Sequence, residues 1–303
     1  MIPMARWPSV ALALFLSVAT APLTGCGSDG DSSSSGPTSN TGGAGGAGGA
    51  GGAGAGEPGL ADHLLITELM ISNDPAEFVE IWNPTNAEVD LSDYYLSDNG
   101  DYHRITSGQP FVLAGSPGLD FLVQFPAGTK IAPGATLTLA GHAGFEAQHK
   151  RCADFAFTNI PVPCGGGTTP MMREPQHGAL GTKAGLLTND GEMLVLFQWS
   201  GVVGELVKDV DYVAWGEDLG ASEVVNKTNV PGYLAEVDPN LQSHAALPAP
   251  GQSLERCVIE PGETDKGGNG ILGHDETSEQ LAEAFRVTTS PTPGATNPCL
   301  PTR

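Results

Sequence analysis

Residues 64 to 98, LLITELMISNDPAEFVEIWNPTNAEVDLSDYYLSD, form three short runs of branched and aromatic residues, each stopped by turn formers. Leu64 to Ile71 is too short and too rich in branched residues to prefer a helix. Asn73-Asp74-Pro75 breaks it, and Asn83-Pro84 closes the second run. In Glu77 to Trp82 the pleat repeats every two residues, so Val79 and Ile81 point one way and Phe78 and Trp82 the other. A strand with one dry face then hides Val79 and Ile81 and leaves Glu80, between two aromatics, at least partly wet. Leu91 to Ser97 makes a third strand. Asn99-Gly100, inside Asp98 to Asp101, suits the positive φ of a tight hairpin turn.

The same pattern continues downstream. Phe121 to Phe125 and Ala135 to Ala140 are two further strands, and Pro133-Gly134 suits a type II turn just before the second. Met193 to Trp199 and Leu206 to Trp215 are strong strands with Gly201 between them, and Ser253 to Ile259 is a short one. The best helical stretch is Ser278 to Phe285, two turns at most. Residues 144 to 185, with Cys152, Cys164, Pro161, Pro163 and Gly165-Gly166-Gly167, lack periodicity. They are expected to be a long inserted loop, ordered because a disulfide staples it.

Seven segments in this order resemble the lamin-tail domain as it occurs in bacterial extracytoplasmic proteins: "ITELM", "EFVEIWNPTNAEVDLSDYYLSD", "KIAPGATLTLAG", "LLTNDGEMLVLF", "VKDVDYVAWG", "PGQSLERC" and "TTSPTPGATNP". The resemblance covers most of residues 62 to 298. It implies an all-β, immunoglobulin-like β-sandwich that works as a non-enzymatic binding or scaffolding module.

Composition agrees with a turn-dense β fold, with 42 glycines and 24 prolines in 303 residues. The formal net charge is −22. Only three of the 35 acidic and one of the 13 basic residues precede Asp62, so the domain from Asp62 onward keeps 32 and 12. Such a surface repels phosphate backbones, and no basic patch intervenes, so nucleic-acid binding is disfavoured.

Residues 1 to 25 read as an export leader: Arg6 supplies the positive charge and Val10 to Ala21 the apolar stretch, too short for a comfortable membrane span. Leu23-Thr24-Gly25-Cys26 resembles the bacterial lipobox, which makes Cys26 a lipidation site and acyl chains the membrane anchor. Position 27 is Gly rather than Asp, so the inner-membrane retention signal of some bacteria is missing, and the outer membrane or cell surface is the expected location. Residues 26 to 61 carry the lipidated cysteine and a Gly/Ala/Ser-rich linker, in which nothing offsets the entropy of ordering. As a disordered coil, the 35 residues after Cys26 span about 30 to 35 Å, at about 5 to 6 Å times the square root of the residue number. The domain of residues 62 to 303 is thereby lifted off a lipid surface.

Four cysteines remain, and an even number in an exported chain suggests two disulfides. Three pairings are possible. Proximity favours Cys152 with Cys164 and Cys257 with Cys299. Cys152-x11-Cys164 has no zinc-ligand spacing. Seven histidines, at 63, 103, 142, 149, 177, 244 and 274, are dispersed. There is no His-Glu-x-x-His, no phosphate loop, and no serine elbow beyond Gly251-Gln252-Ser253-Leu254-Glu255, which ends in Glu and leads into a strand. Glu68 and Glu80 could oppose each other on paired strands and imitate a glycosidase pair, against the plainer reading of two surface carboxylates.

No cofactor is implied. Calcium is the one metal with a candidate site, at Asp265, Asn269 and Asp275, where oxygen ligands gather on a glycine-rich loop as a hard cation requires. Asp98, Asn99 and Asp101 form a smaller cluster, and a solvated acidic turn explains both as well. Trp82, Tyr94, Tyr95, Trp199, Trp215 and Tyr233 could line a binding platform or pack the core. The expected function is that of a surface-anchored lipoprotein presenting a sandwich for adhesion, protein binding or scaffolding at the cell envelope. Its partner would be an envelope or extracellular protein or polysaccharide. Two alternatives stand beside it: a secreted hydrolase built from dispersed carboxylates and histidines, and a calcium-dependent adhesin.

Overall fold

A computed structural model describes residues 60–71, 75–113, 118–183, 185–217, 219–220, 223–295 and 297–301. The leader, Cys26 and the linker as far as residue 59 lie outside the described residues, as do Asn73 and Asp74. Among the described residues no helix is long and apolar enough to cross a membrane.

The strands follow the short branched runs. In chain order they are β1 (Leu65–Met70), β2 (Phe78–Trp82), β3 (Val89–Asp90), β4 (Tyr94–Ser97), β5 (Leu122–Gln124), β6 (Lys130–Ile131) and β7 (Thr136–Ala140). After them come β8 (Phe155–Ala156), β9 (Pro163–Cys164), β10 (Gly167–Thr168), β11 (Gly191–Gln198), β12 (Lys208–Gly216), β13 (Ser253–Arg256) and β14 (Phe285–Thr288). Two helices, α1 (Phe145–His149) and α2 (Leu281–Ala284), are a turn or so each. One sheet runs β14-β13-β1-β2-β7-β8 and the other β12-β11-β4-β5, with β3-β6 and β9-β10 as two-stranded ribbons.

The main core lies between the two large sheets. Ile66, Leu69, Val79, Ile81, Leu139 and Leu254 from the first meet Leu96, Val195, Phe197, Val210 and Tyr212 from the second, all of them buried. This is the immunoglobulin-like sandwich that alternation and the lamin-tail resemblance imply.

Glu80 is not wet. It is 1 % exposed, because the outer face of the first sheet is also covered. Phe78 packs there with Phe145, Ala153, Ala156 and Val162 of the insertion, and Trp82 with Leu65 and Leu300. Period-two alternation tells the two faces of a strand apart, but here both are dry.

The insertion is held by more than its disulfide. Cys152 bonds Cys164, but β8 also pairs in parallel with β7, and Arg173 and Ala179 bridge to Gln124 and Leu122. Asn99-Gly100 is no hairpin turn: neither residue has positive φ, and the chain continues into a 3-10 turn at Tyr102–Ser107. Side chains decide this, since Asn99 Oδ1 accepts from Asp101 N–H and Asp98 Oδ1 from Phe121 N–H. Pro133-Gly134 does make a type II turn, with Gly134 at φ 73° and Ala135 N–H donating to Ala132 C=O. The six aromatic platform candidates are mostly core: Trp82, Tyr94, Tyr95, Trp199 and Trp215 are buried and Tyr233 half-buried.

Candidate functional site

Charged residues inside the sandwich stitch its layers together. Arg256, at the end of β13, is fully buried and donates through Nε to Ile66 C=O and through Nη2 to both Asp211 oxygens, at 2.8 and 3.1 Å. Its Nη1 pairs with Glu279. Asp211, on β12, also accepts from Ile66 N–H. Lys227 forms a second buried knot with Asp209, Glu236 at 2.6 Å and the Tyr102 hydroxyl at 2.8 Å. Sequence reading missed both cations. The visible signal is acids alternating with apolar residues, Asp209-Val210-Asp211-Tyr212 on one strand and Glu255-Arg256 on another, which places charge on a face that must be paired to be buried.

Glu68 and Glu80 do oppose each other across β1 and β2. Both are buried and tied down. Glu68 accepts from Ser253 Oγ and from the Thr292 N–H and hydroxyl, while Glu80 accepts from Thr67 Oγ1 and Gly294 N–H. Burial pushes Glu80 up to about 7. The pair clamps residues 292 to 294 onto the outer face of the sheet. The serine of the near-elbow, Ser253, has no exposure and serves that clamp. Beside it lies a cavity of about 350 Å³ bordered by Glu80, Thr67, Trp82 and Asn297. Glu77 does the same for the end of the insertion: its carboxyl accepts from Leu186 and Leu187 N–H at 2.8 to 3.1 Å. Burial pushes it up to about 8 despite those donors.

The second disulfide joins Cys257 to Cys299 and fastens the same C-terminal segment to the end of β13.

The three calcium candidates sit apart in their bonding. Asn269 Oδ1 accepts from Leu234 N–H, and its amide donates to Leu234 C=O and Glu236. Asp275 Oδ1 accepts from the Thr277 N–H and hydroxyl, and Asp265 is exposed. What the fold gathers nearby are two sets that share His274: Asp62 and His63 before β1 with His274, and Glu260 and Glu263 after β13 with His274. Burial lowers the His63 imidazole, and burial followed by like charge raises Glu260 and Glu263 to about 8. His63 and His274 are 211 positions apart, so no spacing rule could join them.

Four strands end the two large sheets, and three are covered. Asp209 and Trp215 of β12 bridge to Gly270 and Ala245, Leu122 and Gln124 of β5 to Ala179 and Arg173, and Ala156 of β8 to Met171. Among the described residues no bridge reaches the outer side of β14. At its first residue, Phe285, opens a cleft of about 760 Å³ that is also lined by Ala282, His244, Ala245 and the half-exposed Leu247.

No curated protein matches the chain. A crystal structure of a DUF4876 family protein from Bacteroides thetaiotaomicron VPI-5482 is similar at a TM-score of 0.40 and 15 % identity, over 74 % of this chain and 70 % of that one. The family model of the lamin tail domain matches residues 60–215, just over half of the chain. That match ends with β12, and together with the two sheets and the core between them it establishes that the chain belongs to the lamin tail domain family.

Proposed function

We propose that this protein is an exported lipoprotein, tethered through Cys26 and the glycine-rich stretch after it, whose sandwich binds an extended segment of an envelope or extracellular protein along β14. The lamin-tail, immunoglobulin-like fold supports a non-enzymatic binding or scaffolding role. The observation that carries the reading is the open edge of β14, when the other three end strands of the two large sheets are bridged. An edge strand offers unpaired N–H and C=O groups, so natural domains blunt or cover it unless a partner strand is to be added there. The neighbouring cleft supplies a pocket for the partner's side chains. Two disulfides favour an oxidising compartment, in keeping with export.

Cys257 N–H donates to Ala284 C=O, so alternation along the ladder turns the Val287 N–H outward. Proline is tolerated on that side of an edge strand. The test follows the full chain in fractionated cells. Fatty-acid label is expected on the native protein and lost in Cys26→Ala, which should leave the membrane fraction. Val287→Pro should keep the label and the fold but release a cross-linked envelope partner. Unlabelled protein would remove the anchor from the account; an unchanged partner in Val287→Pro would remove the edge. A cross-linked second copy or a polysaccharide would replace the partner class.

A further inference from the structure

The antiparallel pairing of β1 with β13, with Glu68 opposite Glu255, sets the start of β1 beside the end of β13. Two histidines and three carboxylates meet at that end. His63 Nδ1 is 2.9 Å from Asp62 Oδ1, and its Nε2 is 3.1 Å from Glu260 Oε1. His274 Nδ1 is 2.9 Å from Glu263 Oε1, and its Nε2 is 3.2 Å from the same Asp62 oxygen. The rings meet edge to face with centroids 4.7 Å apart. Both histidines are buried, at 3 and 5 % exposure.

Hydrogen bonds satisfy only part of this arrangement. A neutral imidazole has one N–H, so two of them supply two protons for four nitrogen-to-carboxylate contacts. His63 Nε2 and Glu260 Oε1 stand 3.1 Å apart, yet neither makes a hydrogen bond, and Glu263 Oε2 has no partner either. Ten buried side-chain atoms among the described residues lack a partner, and three of them are here. Buried polar atoms are normally satisfied, so such a concentration calls for a ligand.

We propose that His274, Glu260 and Glu263, whose donor atoms lie within 4.8 Å of one another, bind a divalent transition-metal ion of the zinc class, with Asp62 as the residue that orients His274. Imidazole nitrogen with carboxylate oxygen suits zinc, whereas calcium takes six to eight oxygens. Metal bonds of about 2.0 to 2.2 Å put neighbouring ligand atoms about 3 to 3.5 Å apart, and His274 Nδ1 stands 2.9 Å from Glu263 Oε1. Asp62 Oδ1, 3.2 Å from His274 Nε2, accepts its N–H and leaves Nδ1 free to ligate, the usual support of a metal-bound histidine. An open cleft of about 800 Å³, lined by Asp62, Glu260, Asp265 and His274, gives a hydrated ion its route in. The ion ties Glu260 and Glu263 to His274 within the loops after β13, so its role is structural and independent of the β14 edge.

The purified full chain, stripped with chelator, is titrated with zinc chloride and separately with calcium chloride by calorimetry. One zinc ion per chain is expected, with a melting temperature that rises by several degrees at saturation. X-ray absorption of the zinc complex should show nitrogen and oxygen neighbours and no sulfur. Glu263→Gln and His274→Gln should each weaken zinc binding at least 30-fold. Zinc affinity unchanged in both variants, sulfur in the first shell, or calcium bound in preference to zinc would each overturn the assignment. If neither variant folds, the absorption spectrum of the native protein decides alone. No binding of either ion would leave the cluster as histidinium ion pairs and overturn it too.

Discussion

Arg256 Nη2 lies 2.8 Å from Asp211 Oδ1 across the sandwich, and neither side chain is exposed. Because β13 and β12 belong to different sheets, this pair joins the two layers through their dry interior. Removing the cation strands two buried carboxylates, Asp211 and Glu279. Arg256→Met is therefore expected to cost about 3 to 5 kcal/mol, read from urea unfolding at neutral pH. A loss under about 1 kcal/mol would mean that the pair is not desolvated.

Acid should stabilise this domain over part of the range. Folding raises Glu77 to about 8 and Glu80 to about 7, above the ordinary value of 4.5 for an unfolded glutamate. Between those values the folded state holds protons that the unfolded state has released, so stability falls with rising pH. The contribution is complete below pH 4.5 and gone above about 8. Glu77→Gln should flatten the slope of the unfolding midpoint between pH 5 and about 8, and a slope unchanged in that variant would assign it elsewhere.

The two disulfides should differ in worth. Cys257–Cys299 spans 42 residues and Cys152–Cys164 spans 12, which gives about 4 and about 3 kcal/mol from loop entropy. Opening the first by paired serine substitutions also frees the segment that Glu68 and Glu80 hold, through Thr292 and Gly294. The larger fall in unfolding free energy is expected there. Equal losses from the two pairs would argue against that coupling.

Strand positions were legible because they rest on local residues: Leu64 to Ile71 contains β1, and Glu77 to Trp82 contains β2. Burial of Glu80 was not, since it depends on the segment at Gly294, 214 positions away, whose N–H donates to its carboxyl. The glycine-rich loop drew attention to Asp265, Asn269 and Asp275, but side chains there bond within the loop and to Leu234 and Glu236. His63 and Glu260 come within 3.1 Å instead, joined only by the pairing of β1 with β13. Local chemistry is written in neighbours, whereas a site made by sheet register is written in none.

The most direct measurement replaces Val287 on β14 with a photoreactive amino acid in the full chain, in living cells, with a second probe at Val112, which is 85 % exposed and lies outside the strands. The account predicts a discrete cross-linked envelope protein from position 287 and none from position 112. Cross-linking from 112 alone, or from neither site while the protein still fractionates with a partner, would contradict it.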